Sequence, residues 1–231
     1  MADARDHVER VDVLKQDFGW EVPVELVPLP SGGLLYSPES RLYRKEAVKI
    51  KSMTAKEEDI LSSAALIKEG TVLDHLINSC LLEDVNSIDM LVGDRNAIMV
   101  AIRITGYGPD YPVRGRCEKC DTENHFNVDL TSLPIKRLSA EPVEEGKNLF
   151  AFKLPVTKKE VHFSLQTMRA DKDRTQAEKS YRKHFNTKVE SNVTSTLEWA
   201  IKSVDGVTDK NKIKHFVMNM PAYDSRQLRK Y

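Results

Sequence analysis

Apolar residues cluster most densely along the chain in the run Asn96-Ala-Ile-Met-Val-Ala-Ile-Arg-Ile-Thr105. Over residues 97–104 only Arg103 is polar, which predicts a helix with neighbours around most of its surface. Asp94 stands in front of it as the expected N-cap, and Thr105-Gly-Tyr-Gly-Pro109 ends it. Arg103 is expected at the edge of that packing, paired with an acidic group near Glu57 or Asp94. Two shorter helices precede this one. Thr54 and Glu57 have capping-box spacing, and the helix they open points Ile60, Leu61, Ala64 and Ile67 inward before Gly70 stops it. The adjacent carboxylates Glu57, Glu58 and Asp59 read as solvated first-turn acids that favour the helix dipole. From Thr71 onward, Val72, Leu73, Leu76, Ile77, Cys80 and Leu81 form a second stripe, with Cys80 a small buried hydrophobe and His75 toward the polar side. Residues 86–93 read as a short helix or turn.

Before these helices the pattern is not helical. Residues 4–16 carry Val8, Val11 and Leu14 at spacings of three, a weak short helix. Then Pro23, Pro28 and Pro30 hold an extended arm whose Trp20, Val24, Leu26 and Leu29 need a surface to cover them. Two surfaces fit that need, the chain's own core or a neighbouring subunit. Ser31-Gly32-Gly33 makes a turn, and no Gly-Lys-Ser/Thr follows to make it a phosphate loop. A short strand over residues 47–51 closes the arm.

After the central helix, residues 113–117 and 124–130 form two strands around the pair Cys117 and Cys120. A second hairpin follows, with Phe150, Phe152 and Leu154 alternating on one strand and Val161, Phe163 and Leu165 on the other, and His162 on the opposite face. Residues 170–189 are strongly charged, which reads as a solvated helix or as a surface for an acidic partner. Residues 192–204 predict a helix with Val193, Leu197, Ala200, Ile201 and Val204 on one side and Trp199 at its margin. Asp209 caps another helix carrying Ile213, Phe216 and Val217, Pro221 ends it, and residues 223–231 are helix-like. The fold class is therefore mixed α+β: a helical core with a Cys-x-x-Cys β-hairpin, a second β-hairpin and a C-terminal helical region. The segments are 1–52 (helix and proline-containing arm), 53–138 (helical core and knuckle), 139–169 (β-hairpin) and 170–231 (C-terminal helices).

Composition narrows the function. Thirty-five basic residues balance thirty-five acidic ones, which argues against a nucleic-acid footprint beyond short clusters at Lys49/Lys51 and residues 226–230. No apolar run reaches the eighteen residues of a membrane span, and the charged N-terminus lacks a signal segment, so the cytosol of the producing cell is the expected compartment. Three cysteines make no secreted disulfide framework. Cys117 and Cys120 have the spacing of two thiolates on one zinc ion, which is half a site; His125 lies five residues on, and on a strand its side chain need not face the thiols. Three readings stand open: a metal-free knuckle, a structural zinc completed elsewhere, and dithiol redox chemistry. No grouping of histidine, serine and carboxylate supplies a nucleophile with its base, so no cofactor is required and the chain reads as non-enzymatic.

Several runs carry a family resemblance. Val27-Pro-Leu-Pro-Ser-Gly-Gly-Leu-Leu-Tyr36, Met53-Thr-Ala-Lys-Glu-Glu-Asp-Ile-Leu61, Gly70-Thr-Val-Leu-Asp-His-Leu-Ile77, Gly93-Asp-Arg-Asn-Ala97, Arg103-Ile-Thr-Gly-Tyr-Gly108, the Cys117/Cys120 knuckle and Asp224-Ser-Arg-Gln-Leu-Arg-Lys-Tyr231 resemble the baseplate hub and hub-assembly proteins of T-even-like contractile-tailed bacteriophages. The likeness spans residues of about 22 to 231 and is strongest over 27–130. It implies a non-catalytic part of the tail baseplate, or an assembly factor, working in the bacterial host cytoplasm during assembly and binding hub or tape-measure proteins, with self-association a further expectation. On this reading Trp20, Pro28, Leu29, Pro30 and Tyr36 of the arm, with Tyr223 and Leu228 near the C-terminus, contact partners. Many relatives continue past the segment matching residues 229–231 into a second cysteine pair; here either the pair is absent or the chain is truncated, and a four-cysteine zinc site is an expectation for a longer product alone. The alternative is a small metal-binding regulator associated with nucleic acid, motivated by the knuckle and the basic residues 226–230.

Overall fold

Proline spacing and alternation make β1 (Val24–Pro28) an extended strand, and it pairs antiparallel with β2 (Ala47–Lys51), Val27 opposite Val48 and Leu26 opposite Lys49. In this computed structural model residues 17–185 and 192–231 are described, and the helix expected over 4–16 lies outside them. The chain divides into two compact units. One runs up to Gly32 and takes in Lys45–Ser87 and Gly93–Arg137; the other comprises Gly33–Arg44, Ile88–Val92 and Leu138–Tyr231.

In the first unit, β1 and β2 are followed by α1 (Ala55–Ser62), α2 (Ala64–Glu69), α3 (Val72–Cys80), α4 (Val92–Tyr107) and the hairpin β3 (Asp110–Arg116) with β4 (Glu123–Asp129). Its core contains Val27, Leu29, Val48, Ile50, Leu76, Ile77, Cys80, Ile98 and Ile102, all buried. Burial, and then the charge of Glu57, pushes the Cys80 thiol up to about 12, so it is a packing residue as expected. The capping box also forms: Thr54 donates its N–H and hydroxyl to Glu57 Oε2 at 2.9 and 2.6 Å.

Four expectations need correction here. Glu57 is not solvated; it is 0% exposed and accepts from Lys51 Nζ at 2.7 Å and Ser79 Oγ at 2.6 Å. The helix it opens breaks at Ser63, where the backbone is extended, and this leaves Ala64 and Ile67 exposed. Helix α4 begins at Val92, so Asp94 lies inside its first turn, where the buried carboxylate accepts the N–H and hydroxyl of Ser31 at 2.9 and 2.6 Å. Arg103 donates to the carbonyls of Gly108 and Asp110, and its guanidinium sits 5.0 Å from the Tyr107 ring and 5.6 Å from that of Tyr111. The carbonyls of the link that follows the helix and of the first residue of β3 are the acceptors, so the cation finds partners there without a carboxylate.

The second unit is built on a three-stranded antiparallel sheet in the order β5 (Phe150–Lys153), β6 (Glu160–Phe163), β7 (Ile201–Val204). Phe150, Val161, Phe163, Ile201 and Val204 fill one face. With them come α5 (Met168–Phe185), α6 (Asn192–Ala200), α7 (Lys210–Asn219) and α8 (Ala222–Lys230). The helix expected over 192–204 ends at Ala200 and its last four residues form β7, so the predicted hairpin is a three-stranded sheet. Asp205 and Gly206, at φ +47° and +78°, make the tight turn that follows, with Val204 and Val207 exchanging both backbone hydrogen bonds. Asp209 caps α7 by accepting from Lys212 N at 2.9 Å. In α8 the buried Asp224 accepts from the N–H groups of Val156 and Thr157 at 2.7 and 3.0 Å, fastening the β5–β6 connection. Among the described residues, no helix is long and apolar enough to cross a membrane.

Candidate functional site

Helix α4 has two stripes that could meet a neighbour, and only one is covered. Asp94, Arg95, Ile98 and Ile102 recur at helical spacing and are buried. The other stripe, Gly93, Ala97, Val100, Ala101 and Ile104, lines an open groove of about 500 Å³. This overturns the expectation of neighbours around most of the helix: the run is apolar on two sides because one side meets the core and the other faces this groove. Gly93, Ala97 and Ala101 place at most a methyl group there, which leaves the space open.

Strand β1 forms a second wall through Glu25, Leu26, Val27 and Pro28, continued by Pro30. The bonds Ser52 N to Pro23 O and Leu29 N to Glu46 O, both 2.8 Å, set the phase of its ladder. Residues 23, 25, 27 and 29 thus bond toward β2, and 24, 26 and 28 turn their backbone groups outward. Among the described residues nothing bonds the N–H groups of Val24 and Leu26. Pro28 has no N–H to offer and presents only its carbonyl. Leu26 is 66% exposed, a large apolar side chain beside unpaired backbone.

The third wall is Leu130, Thr131, Leu133, Pro134, Ile135 and Lys136. Its course is set by Asp129, whose carboxylate accepts the Thr131 N–H and hydroxyl at 2.8 and 2.6 Å; the same bonds hold its pKa below the usual range. Leu130 N–H, bonded to Pro109 O at 2.9 Å, ties this wall to the end of α4. The groove has the chemistry of a peptide-binding cleft: an open strand edge over an apolar floor, with Asn96 and Thr131 as its neutral polar groups and Glu25 and Lys136 as its charged ones.

Of the residues expected to contact partners, Pro28 and Pro30 line this groove, and Trp20 is about half exposed on the same arm. Leu29 is completely buried in the first unit. Tyr36 and Leu228 are buried in the second, where the Tyr36 hydroxyl accepts from Leu91 N–H at 3.0 Å; Tyr223 is exposed. Leu29, Tyr36 and Leu228 therefore sit in the cores of their own units: Leu29 continues the alternation of β1, Leu228 follows the helical spacing of α8, and Tyr36, at a bend, is held by its bond from Leu91 N–H. Val100, Ala101, Ile104, Leu133 and Ile135 were not singled out from sequence, since apolar residues on a central helix or beside a proline read equally well as core.

Cys117 is half-buried and Cys120 exposed at the β3–β4 turn. Among the described residues, no group of three or more His, Cys, Asp or Glu side chains is placed to hold a metal ion. His125 pairs across the strands with Arg114, and His162 lies 3.2 Å from Ser203 Oγ in a cross-strand pair.

A family model described as T4 bacteriophage base plate protein matches residues 27–227. The chain belongs to that family. No curated relative and no solved structure matches it. The T4 base plate family is structural and non-catalytic, so the protein works in phage tail structure or assembly by contact with other baseplate components.

Proposed function

We propose that this base plate protein is a hub component or hub-assembly factor that takes an extended apolar segment of a hub or tape-measure protein into the α4 groove. The incoming segment adds a strand to the outward edge of β1 and lays alternate side chains against Val100, Ala101 and Ile104. The observation that carries this reading is the coincidence of an unpaired strand edge with the uncovered stripe of α4. Exposed Trp20 and half-buried Pro30 extend the surface along the segment assigned as the arm, residues 1–52, and Tyr223 offers a separate contact in segment 170–231. Binding takes place in the host cytoplasm during assembly.

Reconstitution with purified hub and tape-measure proteins tests this. Ala101→Glu puts a carboxylate on the groove floor and is expected to weaken capture about 100-fold or more, because the bound segment would desolvate it. Leu26→Pro removes one outward donor and leaves the bonds to β2 intact, for a smaller loss of about 0.5 to 1.5 kcal/mol. Unchanged capture by both variants, or no capture by the parent protein, sinks the groove as the binding site. Mass spectrometry of purified tails beside assembly intermediates separates the two roles: stoichiometric recovery from tails marks a hub component, and recovery from intermediates alone marks an assembly factor.

A further inference from the structure

The α4 groove has a second open edge. Its third wall leaves the short turn Leu130–Ser132 as extended chain, with Leu133 at φ −66° and ψ 124°, the conformation that a following proline favours. Leu133 N–H bonds back to Leu130 O, and among the described residues nothing bonds the backbone groups of Pro134, Ile135 and Lys136. Unpaired extended backbone therefore lies on both sides of the groove, the outward edge of β1 on one and residues 133–136 on the other.

The groove also has two poles. Ser31 bonds to Asp94 in the first turn of α4, which places the Pro30 end of β1 at the start of the helix and Glu25 toward its end. Leu130 is tied to Pro109 O just past that end, and the extended course of residues 133–136 carries Lys136 away from it. A lone carboxylate thus stands at one end and a lone ammonium toward the other, with Ala97, Val100 and Ala101 between them. Both charges are exposed, and among the described residues neither has an ion-pair partner. From Gly93 to Ile104 the floor runs about 16 Å at the helical rise, the length of about five extended residues.

Resting on the groove reading given above, we propose that the guest is a segment of about five extended residues, apolar at alternate positions, with an acidic residue before it and a basic residue after it, hydrogen-bonded along both of its edges. Antiparallel pairing is the more stable mode, so the guest runs against β1 and its C-terminal end lies beside Glu25, its N-terminal end beside Lys136. The two open edges then satisfy guest backbone groups on both sides, where a strand added to one edge alone leaves half of them to water. Alternation rests one set of side chains on α4 and turns the other outward. The end charges set the direction of entry more than the affinity, because exposed pairs are weak.

The test uses the purified full chain and two labelled peptides with blocked ends, Asp-Leu-Ser-Leu-Ser-Leu-Lys and its charge-exchanged form Lys-Leu-Ser-Leu-Ser-Leu-Asp, with binding read by fluorescence anisotropy at low salt. The first is expected to bind about 5- to 10-fold more tightly, and the gap to close in about 1 M salt. Glu25→Lys/Lys136→Glu, at two exposed positions, should reverse the preference. Hydrogen exchange of the bound protein should slow at Val24 and Leu26 on one wall and within residues 135–137 on the other. Equal binding, no binding, a preference for the second peptide, a preference that survives the charge exchange, or protection of β1 alone overturns the proposal. If it falls while Ala101→Glu still blocks capture of hub or tape-measure protein, the groove reading stands; if Ala101→Glu leaves that capture unchanged, the groove itself fails.

Discussion

Glu57→Ala is expected to destabilise the protein by about 3 to 5 kcal/mol, read as a lower urea midpoint. Its carboxylate is fully buried and binds Lys51 Nζ, Ser79 Oγ and the Thr54 N–H and hydroxyl. Removing it strands a lysine that is only 5% exposed and leaves a helix start without its reciprocal bond. The pair itself need not be a large net gain, since both ions are desolvated. A Lys51→Met/Glu57→Leu double variant should therefore recover much of the loss, whereas either single change should not.

The same carboxylate gives a pH dependence with a definite sign. Burial pushes its pKa up, but the hydrogen bonds from Lys51, Ser79 and Thr54 outweigh this and hold it at about 2, below the ordinary 4.5. The folded state then binds the proton more weakly than the unfolded chain. Stability from this group is complete above about pH 4.5 and is lost as pH falls toward 2. Acid titrations of the parent and the double variant should diverge in that window and run parallel above it.

Ile102→Ala is expected to cost about 2 to 5 kcal/mol, because its side chain is 1% exposed and a cavity replaces it. Two residues on, Ile104 is half-buried on the groove side, and Ile104→Ala should cost less than about 1 kcal/mol. The contrast tests the two-sided reading of α4. Equal losses at both positions would mean that the groove is closed by the protein's own core.

Local chemistry made several of these features legible in the sequence. The capping box of Thr54 and Glu57, the cap at Asp209, the buried stripe through Cys80 and the cysteine hairpin each depend on groups a few residues apart, so spacing alone specifies them. The strand β7 was missed although Asp205-Gly206, a strong hairpin signal, sat beside it. Val193, Leu197, Ala200, Ile201 and Val204 also fit a helical period, and pairing with β6 rather than local preference decided the outcome.

By itself the sequence determined the helical core, the arm, the knuckle and membership of a base plate family. It determined which residues are apolar, and not how many neighbours each would have. Tertiary structure alone decided that Glu57 is buried with Lys51, that Leu29, Tyr36 and Leu228 turn inward, and that one stripe of α4 stays open beside an unpaired strand edge. The physical reason is that hydrophobicity is a property of a side chain, while burial and an open edge depend on segments distant in the chain, and no period in α4 records whether a neighbour arrives.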